Sequence, residues 1–170
     1  VCARSQSKLK AQLAKSSNFS WLCVWGQNQT ESPSMISVLI WNSHGLGAQV
    51  KTDFIANEFL CNSISLAAVL ELKQNSSKIS EFGWRFRAKN YLHANPLSLH
   101  IWLFWKKNIM VDLIEVFGQF ITTKIVSGSF DIFFSFVYAK CEAQVQEEIW
   151  CDLGAFNPSA SPWFVVGGGF

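Results

Sequence analysis

Three side chains stand where a strand delivers them. Asn42 closes the run Met35 to Trp41, in which Ile36, Val38 and Ile40 alternate with Ser37 and Leu39 before the chain breaks at Ser43-His44-Gly45. Glu71 closes the near-continuous apolar run Ile64 to Leu70, and Tyr138 closes I-F-F-S-F-V-Y. If the first two runs are neighbouring parallel strands, about 4.8 Å apart, the amide and the carboxylate can meet. An amide oxygen and a carboxylate are hard oxygen ligands suited to Mg²⁺, and a metal there would polarise a phosphate. The phenol of Tyr138 could donate to a phosphate oxygen. Spacing alone favours the plainer reading, in which Asn42 and Glu71 are polar punctuation at strand ends and Tyr138 keeps its hydroxyl in water.

Four cations form a second candidate set. Arg85, Arg87, Lys106 and Lys107 can contact a phosphate backbone, or serve as ordinary solvated strand ends. His44, His93 and His100 have no metal-ligand spacing, and no serine or cysteine is placed to make a nucleophile triad. Gly167, Gly168 and Gly169 lack the Lys-Ser/Thr and the helix of a phosphate loop.

The elements that must position these residues are legible from Met35 onward. The spacing predicts a strand over 35–42, a helix over 48–62 with Val50, Phe54, Ile55 and Phe59 as its apolar face, and a strand over 63–72 buried on both sides. Strand–helix–strand is the right-handed crossover that makes two strands parallel. A short strand over 84–88 would put Arg85 and Arg87 on one face. Runs at 99–105, 110–117, 120–126 and 130–139 are separated by connections short enough for antiparallel hairpins. A helix over 143–153, with Val145, Ile149, Trp150 and Leu153 on its apolar side, and a last strand over 163–166 complete a mixed α/β pattern. Trp41, Trp102, Trp105, Trp150 and Trp163 read as core. Residues 1–34 are basic and aperiodic. They read as a poorly ordered tail, in which Lys8 to Lys15 could form a short helix, and residues 35–170 read as the domain.

Composition sets bounds. Almost half of the 170 residues are apolar, with 15 Phe and 8 Trp, while only 15% are charged, well under the usual quarter or so. A net charge of +2 does not by itself argue for nucleic acid. No apolar run approaches the roughly eighteen residues of a membrane helix. The five cysteines are odd in number and lack C-x-x-C spacing, so neither a disulfide framework nor a zinc site is indicated. No secretory signal is visible, and an intracellular location, nuclear or cytoplasmic, is the expectation.

Taken in order, V-L-I-W-N-S-H-G-L, A-V-L-E-L-K, L-H-I-W-L-F-W-K-K, F-S-F-V-Y-A and W-F-V-V-G-G-G-F resemble the endonuclease/exonuclease/phosphatase superfamily, the DNase I-like fold. The resemblance is greatest to the endonuclease domains of plant-type LINE (non-LTR) retrotransposons. It covers residues 35–170, the front portion of a full domain. It implies a four-layer α/β/β/α sandwich, here partial, and Mg²⁺-dependent cleavage of DNA. Asn42 matches the asparagine of the family's W-N-x-R-G motif, Glu71 its metal-binding glutamate, and Tyr138 the phosphate-contacting tyrosine of its V-Y motif. His44 stands where the motif usually has arginine. Gly169 stands where G-D-F-N has the aspartate that activates water, and the later S-D-H histidine is not in the sequence. The implied reading is a degenerate, truncated and catalytically inactive endonuclease domain with weak or absent Mg²⁺ binding. The rivals are a weak Mg²⁺-dependent endonuclease and a nucleic-acid-binding or interaction module. A shortened sheet would also leave an apolar face and an open edge through which copies could associate.

Overall fold

The structure, a computed structural model, describes residues 8–15, 19–27, 34–94, 98–128, 130–138, 143–156, 158 and 161–168. Its elements run β1 (Lys8–Lys15), β2 (Phe19–Gln27), β3 (Ser34–Asn42), α1 (Gln49–Cys61), β4 (Leu66–Leu70), a 3₁₀ turn (Ser76–Lys78), α2 (Ile79–Arg85) and β5 (Asn90–Ala94). Then follow β6 (Ser98–Trp105), β7 (Met110–Val116), β8 (Phe120–Ser127), β9 (Phe130–Tyr138), α3 (Ala143–Ala155) and β10 (Trp163–Gly168).

Two sheets form. One has the order β1-β2-β3-β4-β6-β5 and the other β10-β9-β8-β7. β3 and β4 are parallel, as are β9 and β10; every other pairing is antiparallel.

Alternation along β3 explains the layering. Ile36, Val38 and Ile40 point into a core shared with Ile121, Ile125, Ile132, Phe134 and Phe136 of the second sheet. Leu39 and Trp41 point the other way, into a core with Ile55 and Phe59 of α1 and Phe82 of α2. A strand apolar on both faces must be covered on both faces. On the far side of the second sheet, Phe120 and Val137 pack against Ile149 and Leu153 of α3. The sequence of layers is helices, sheet, sheet, helix, the mixed α/β sandwich expected. Burying a side chain such as Phe59 or Ile55 contributes about 1.5–3 kcal/mol, and many here are fully buried.

Several expectations are corrected. Lys8–Lys15, assigned to a poorly ordered tail and to a possible helix, is a strand that pairs with β2 along its whole length. β2 in turn pairs with β3 and buries Leu22 and Val24, so neighbour pairing overrides a weak local preference. The strand expected at 84–88 is instead the end of α2 and its C-terminal cap. Buried Ile79, Phe82 and Phe86 follow a helical period that the alternating W-R-F-R conceals. Asn90–Ala94 is a strand that no local pattern announced. β6 does not form a hairpin with β7; it lies between β4 and β5, and the chain then crosses to the second sheet. Val50 (79% exposed) and Trp150 (53%) lie outside the core, while Thr52 takes the inward place on α1. The side chain of Val145 lies outside the described residues.

At the outer edge of the second sheet, β7 carries an extra residue: Leu113 pairs with Thr123 and Glu115 with Thr122, leaving Ile114 as a bulge. Met110, Leu113, Ile114 and Phe117 are exposed along this edge. No helix among the described residues is long and apolar enough to cross a membrane.

Candidate functional site

The carboxyl ends of β3 and β4 are stitched into one rim. Asn42 is registered opposite Leu70, so Glu71 follows directly at the end of β4. Ser43 donates from its backbone N–H to Leu70 O (3.0 Å), and from its hydroxyl to Leu70 O (3.0 Å) and Glu71 O (3.2 Å). Gly45 N–H donates to Glu71 O at 2.7 Å and Leu46 N–H to Leu72 O at 2.9 Å. From α1, Lys51 Nζ reaches Ser43 O at 2.6 Å and Gly45 O at 2.9 Å. Those carbonyls face the helix because His44 (φ 45°) and Gly45 (φ 93°) turn the loop through the left-handed region. Asn42 Oδ1 accepts from His44 N–H at 3.2 Å, a local turn bond of the kind Asn makes readily.

Glu71 is the hub. Its N–H donates to His100 O at 2.8 Å, and its side chain is only 14% exposed. Oε2 lies 2.8 Å from His44 Nδ1 and Oε1 lies 2.9 Å from Lys73 Nζ. The Lys73 hydrogen bond holds the carboxyl below its ordinary range; burial opposes this, and the His44 bond adds to it. Lys73 is pushed up in turn by Glu71, with a smaller electrostatic contribution from Tyr138.

Tyr138 arrives from the other sheet. Its N–H donates to Gln119 O at 2.8 Å, and its ring lies 4.8 Å, centroid to centroid, from that of His100. Glu71 and Tyr138 thus meet at His100, one through its backbone and the other through its ring. β10 ends beside Tyr138, since Gly168 is its register partner. Gly169, the expected substitute for the aspartate, lies outside the described residues.

Asn42, Glu71 and Tyr138 are therefore brought to one rim, and the four cations are not. Arg85 is bonded to Glu81 Oε1 (2.7 Å) and Gln49 Oε1 (3.0 Å). Lys106 Nζ donates to Phe59 O at 2.7 Å near the end of α1 and sits over the Phe59 ring, with its pKa pushed down by burial. Lys106 and Lys107 follow Trp105, which pairs with Leu66 at the opposite end of β4 from Glu71. Arg87 is exposed.

Sequence reasoning passed over Lys73, Lys51, Ser43 and the role of His100. The signal for Lys73 was its spacing two residues from Glu71. Lys51 could have been found as a cation in the first turn of α1, within reach of the carbonyls of the preceding loop.

The donor set also tests the implied Mg²⁺. That ion keeps a near-ideal octahedron of about six oxygens. The rim offers one carboxylate, with each oxygen already bonded to a side-chain nitrogen, and one amide oxygen bonded to a backbone N–H. No three His, Cys, Asp or Glu side chains among the described residues cluster as metal ligands. As arranged, these residues do not fit the ion.

No family model matches the chain, and no curated protein matches it. Solved structures do. TDP2 from Caenorhabditis elegans aligns with a TM-score of 0.53 at 14% identity, covering 78% of this chain and 46% of that one. A humanized TDP2 from D. rerio aligns with a TM-score of 0.54 at 9% identity, covering 78% and 61%. The endonuclease domain of TRAS1, a telomere-specific non-LTR retrotransposon, aligns at 0.47 and 10% identity over 76% and 57%, too loosely to argue from. The chain spans about half the length of the TDP2 structures from C. elegans that it matches. With its two mixed sheets between helices, the chain has the DNase I-like fold that these TDP2 structures share.

Proposed function

We propose that residues 35–170 are a degenerate endonuclease domain of the LINE type, nearest to plant non-LTR elements, whose rim engages a nucleic-acid phosphate without cleaving it. The observation that supports this best is the commitment of both Glu71 oxygens to His44 and Lys73. A carboxylate so engaged is a poor ligand for Mg²⁺ and instead orients the Lys73 ammonium and the His44 ring. Lys73 (62% exposed), His44 (60% exposed), the Asn42 amide and the Tyr138 hydroxyl are the groups this rim presents to an anion. With glycine at 169, the chain offers no carboxylate there to take a proton from water, and a general base contributes roughly 10²- to 10⁴-fold.

Incubation with supercoiled plasmid and Mg²⁺ tests the reading. Wild type, Glu71→Ala and Gly169→Asp should all leave the plasmid supercoiled, the last because Glu71 stays engaged. The rival, a weak Mg²⁺-dependent endonuclease, requires nicking by wild type that disappears in Glu71→Ala. That result would overturn the proposal.

A further inference from the structure

We propose a second nucleic-acid site at the opposite end of the sheet: a groove that stacks a base of a single strand on Trp84 and holds its phosphates with Arg87, Lys89 and Lys107. The groove has a volume of about 590 Å³ and is lined by these residues with Ala88, Lys106 and Asn108. That lies within the range of about 300–1,000 Å³ typical of small-ligand sites. It stands apart from the Glu71 rim. Lys106 N–H bonds to Ser65 O, just before β4 begins, and Glu71 comes just after β4 ends. Five residues of strand, at about 3.3 Å each, separate the two.

Trp84 is 81% exposed while Phe82 and Phe86 on either side are buried. Its two neighbours anchor the short helix, and the indole is left facing water. The turn that follows holds Arg87 at φ 52°. Arg87 N–H bonds to Trp84 O and Ala88 N–H to Gly83 O, each at 3.0 Å, a helix ending whose left-handed position ordinarily takes glycine. Here that position is occupied by an arginine, beside the exposed ring.

The charge is one-sided. No acidic residue lines the groove, and Arg87, Lys89 and Lys107 form no ion pair among the described residues. Lys106 contributes its carbon stem, since its ammonium caps Phe59 O. A neighbouring depression shares Trp84 and Arg87 but adds Asp53 and the paired Arg85, so its charge is not one-sided. Cations beside an open aromatic face suit single strands, whose bases are free to stack; a duplex hides its base faces. An acidic peptide would satisfy the cations and leave the indole without purpose. The site does not depend on the reading of the rim.

Fluorescence anisotropy with labelled dT12 in magnesium-free buffer tests it, with circular dichroism to confirm folding. Wild type should bind dT12 more tightly than a duplex of equal length. Trp84→Ala should weaken binding roughly 5- to 100-fold, and Trp84→Phe should retain it within about threefold. Lys107→Glu should weaken binding and flatten its salt dependence. Absent binding, affinity indifferent to Trp84→Ala, or competition by oligoglutamate equal to that by dT12 would each overturn the site. The plasmid assay reads cleavage at the rim and Trp84→Ala reads the groove, so failure of one proposal is distinct from failure of the other.

Discussion

Lys73 Nζ lies 2.9 Å from Glu71 Oε1, and the two residues share a left-handed backbone, at φ 52° and 54°. Leu72 between them is fully buried among the residues packed beneath α1 and α2. Its anchoring turns the acid and the ammonium toward each other. His44, at φ 45°, completes the set from the neighbouring strand end. Three non-glycine residues in this region each cost about 1–3 kcal/mol, and such strain persists only where surrounding contacts over-determine it. Here the contacts are the Ser43, Gly45, Leu46 and Lys51 hydrogen bonds described above.

The pair makes stability depend on acid. Glu71 titrates below its ordinary value of 4.5 in the folded state, so the unfolded chain binds more protons as pH falls. Its contribution is present above that ordinary value and is lost as pH drops through the folded value. Lys73 is raised above 10.5, so its contribution holds through neutral pH and fades only as alkalinity passes the raised value. Thermal melts from about pH 7 to about pH 3 should show a steeper acid loss for wild type than for Glu71→Gln. Asp131, lowered by Lys124 and Ser161, keeps some acid sensitivity in both proteins, so the difference between the curves reports Glu71. Parallel curves would show the pairing to be energetically empty.

Lys106 should behave as a structural residue. Its ammonium caps the carbonyl of Phe59, and a hydrogen bond to a charged group is worth about 1.5–3 kcal/mol. Lys106→Ala should lower unfolding free energy by about that amount in urea titrations, while changing oligonucleotide affinity less than Lys107→Ala does. The reverse order would return Lys106 to the set of ligand contacts.

Arg87 separates stability from binding. Arg87→Gly removes a side chain from a left-handed position and should stabilise the fold by about 0.5–1 kcal/mol after glycine's own entropy cost. The same change should reduce dT12 affinity. Chemical denaturation and anisotropy on one preparation check both signs.

The elements whose burial is written in their spacing were legible. β3 and β4 are apolar on both faces because helices cover one and a sheet the other. α1 and α3 show their inner sides through Ile55, Phe59, Ile149 and Leu153. β1 was illegible because K-L-K-A-Q-L-A-K has a place only beside β2, and pairing leaves no local period. α2 was illegible because Gly83 and the alternating W-R-F-R mask the spacing of Ile79, Phe82 and Phe86. At the rim, Asn42, Glu71 and Tyr138 could be found because each closes an apolar run. The spacing of Lys73 from Glu71 hinted at their pairing, but the way His44, Glu71 and Lys73 turn toward one another could not be read, since left-handed residues that are not glycine carry no mark in a sequence.

The bulge at Ile114 has a bearing on crowding. An intruding extended segment needs several consecutive matched amides to gain a foothold on an outer strand. Here the spacing of β7 slips midway, between Leu113 and Glu115, and the added twist turns the remaining donors and acceptors aside. The greasy border of Met110, Leu113 and Phe117 is thereby fenced by its own irregularity, and straightening it by deleting Ile114 would open the gate to fibre-like stacking.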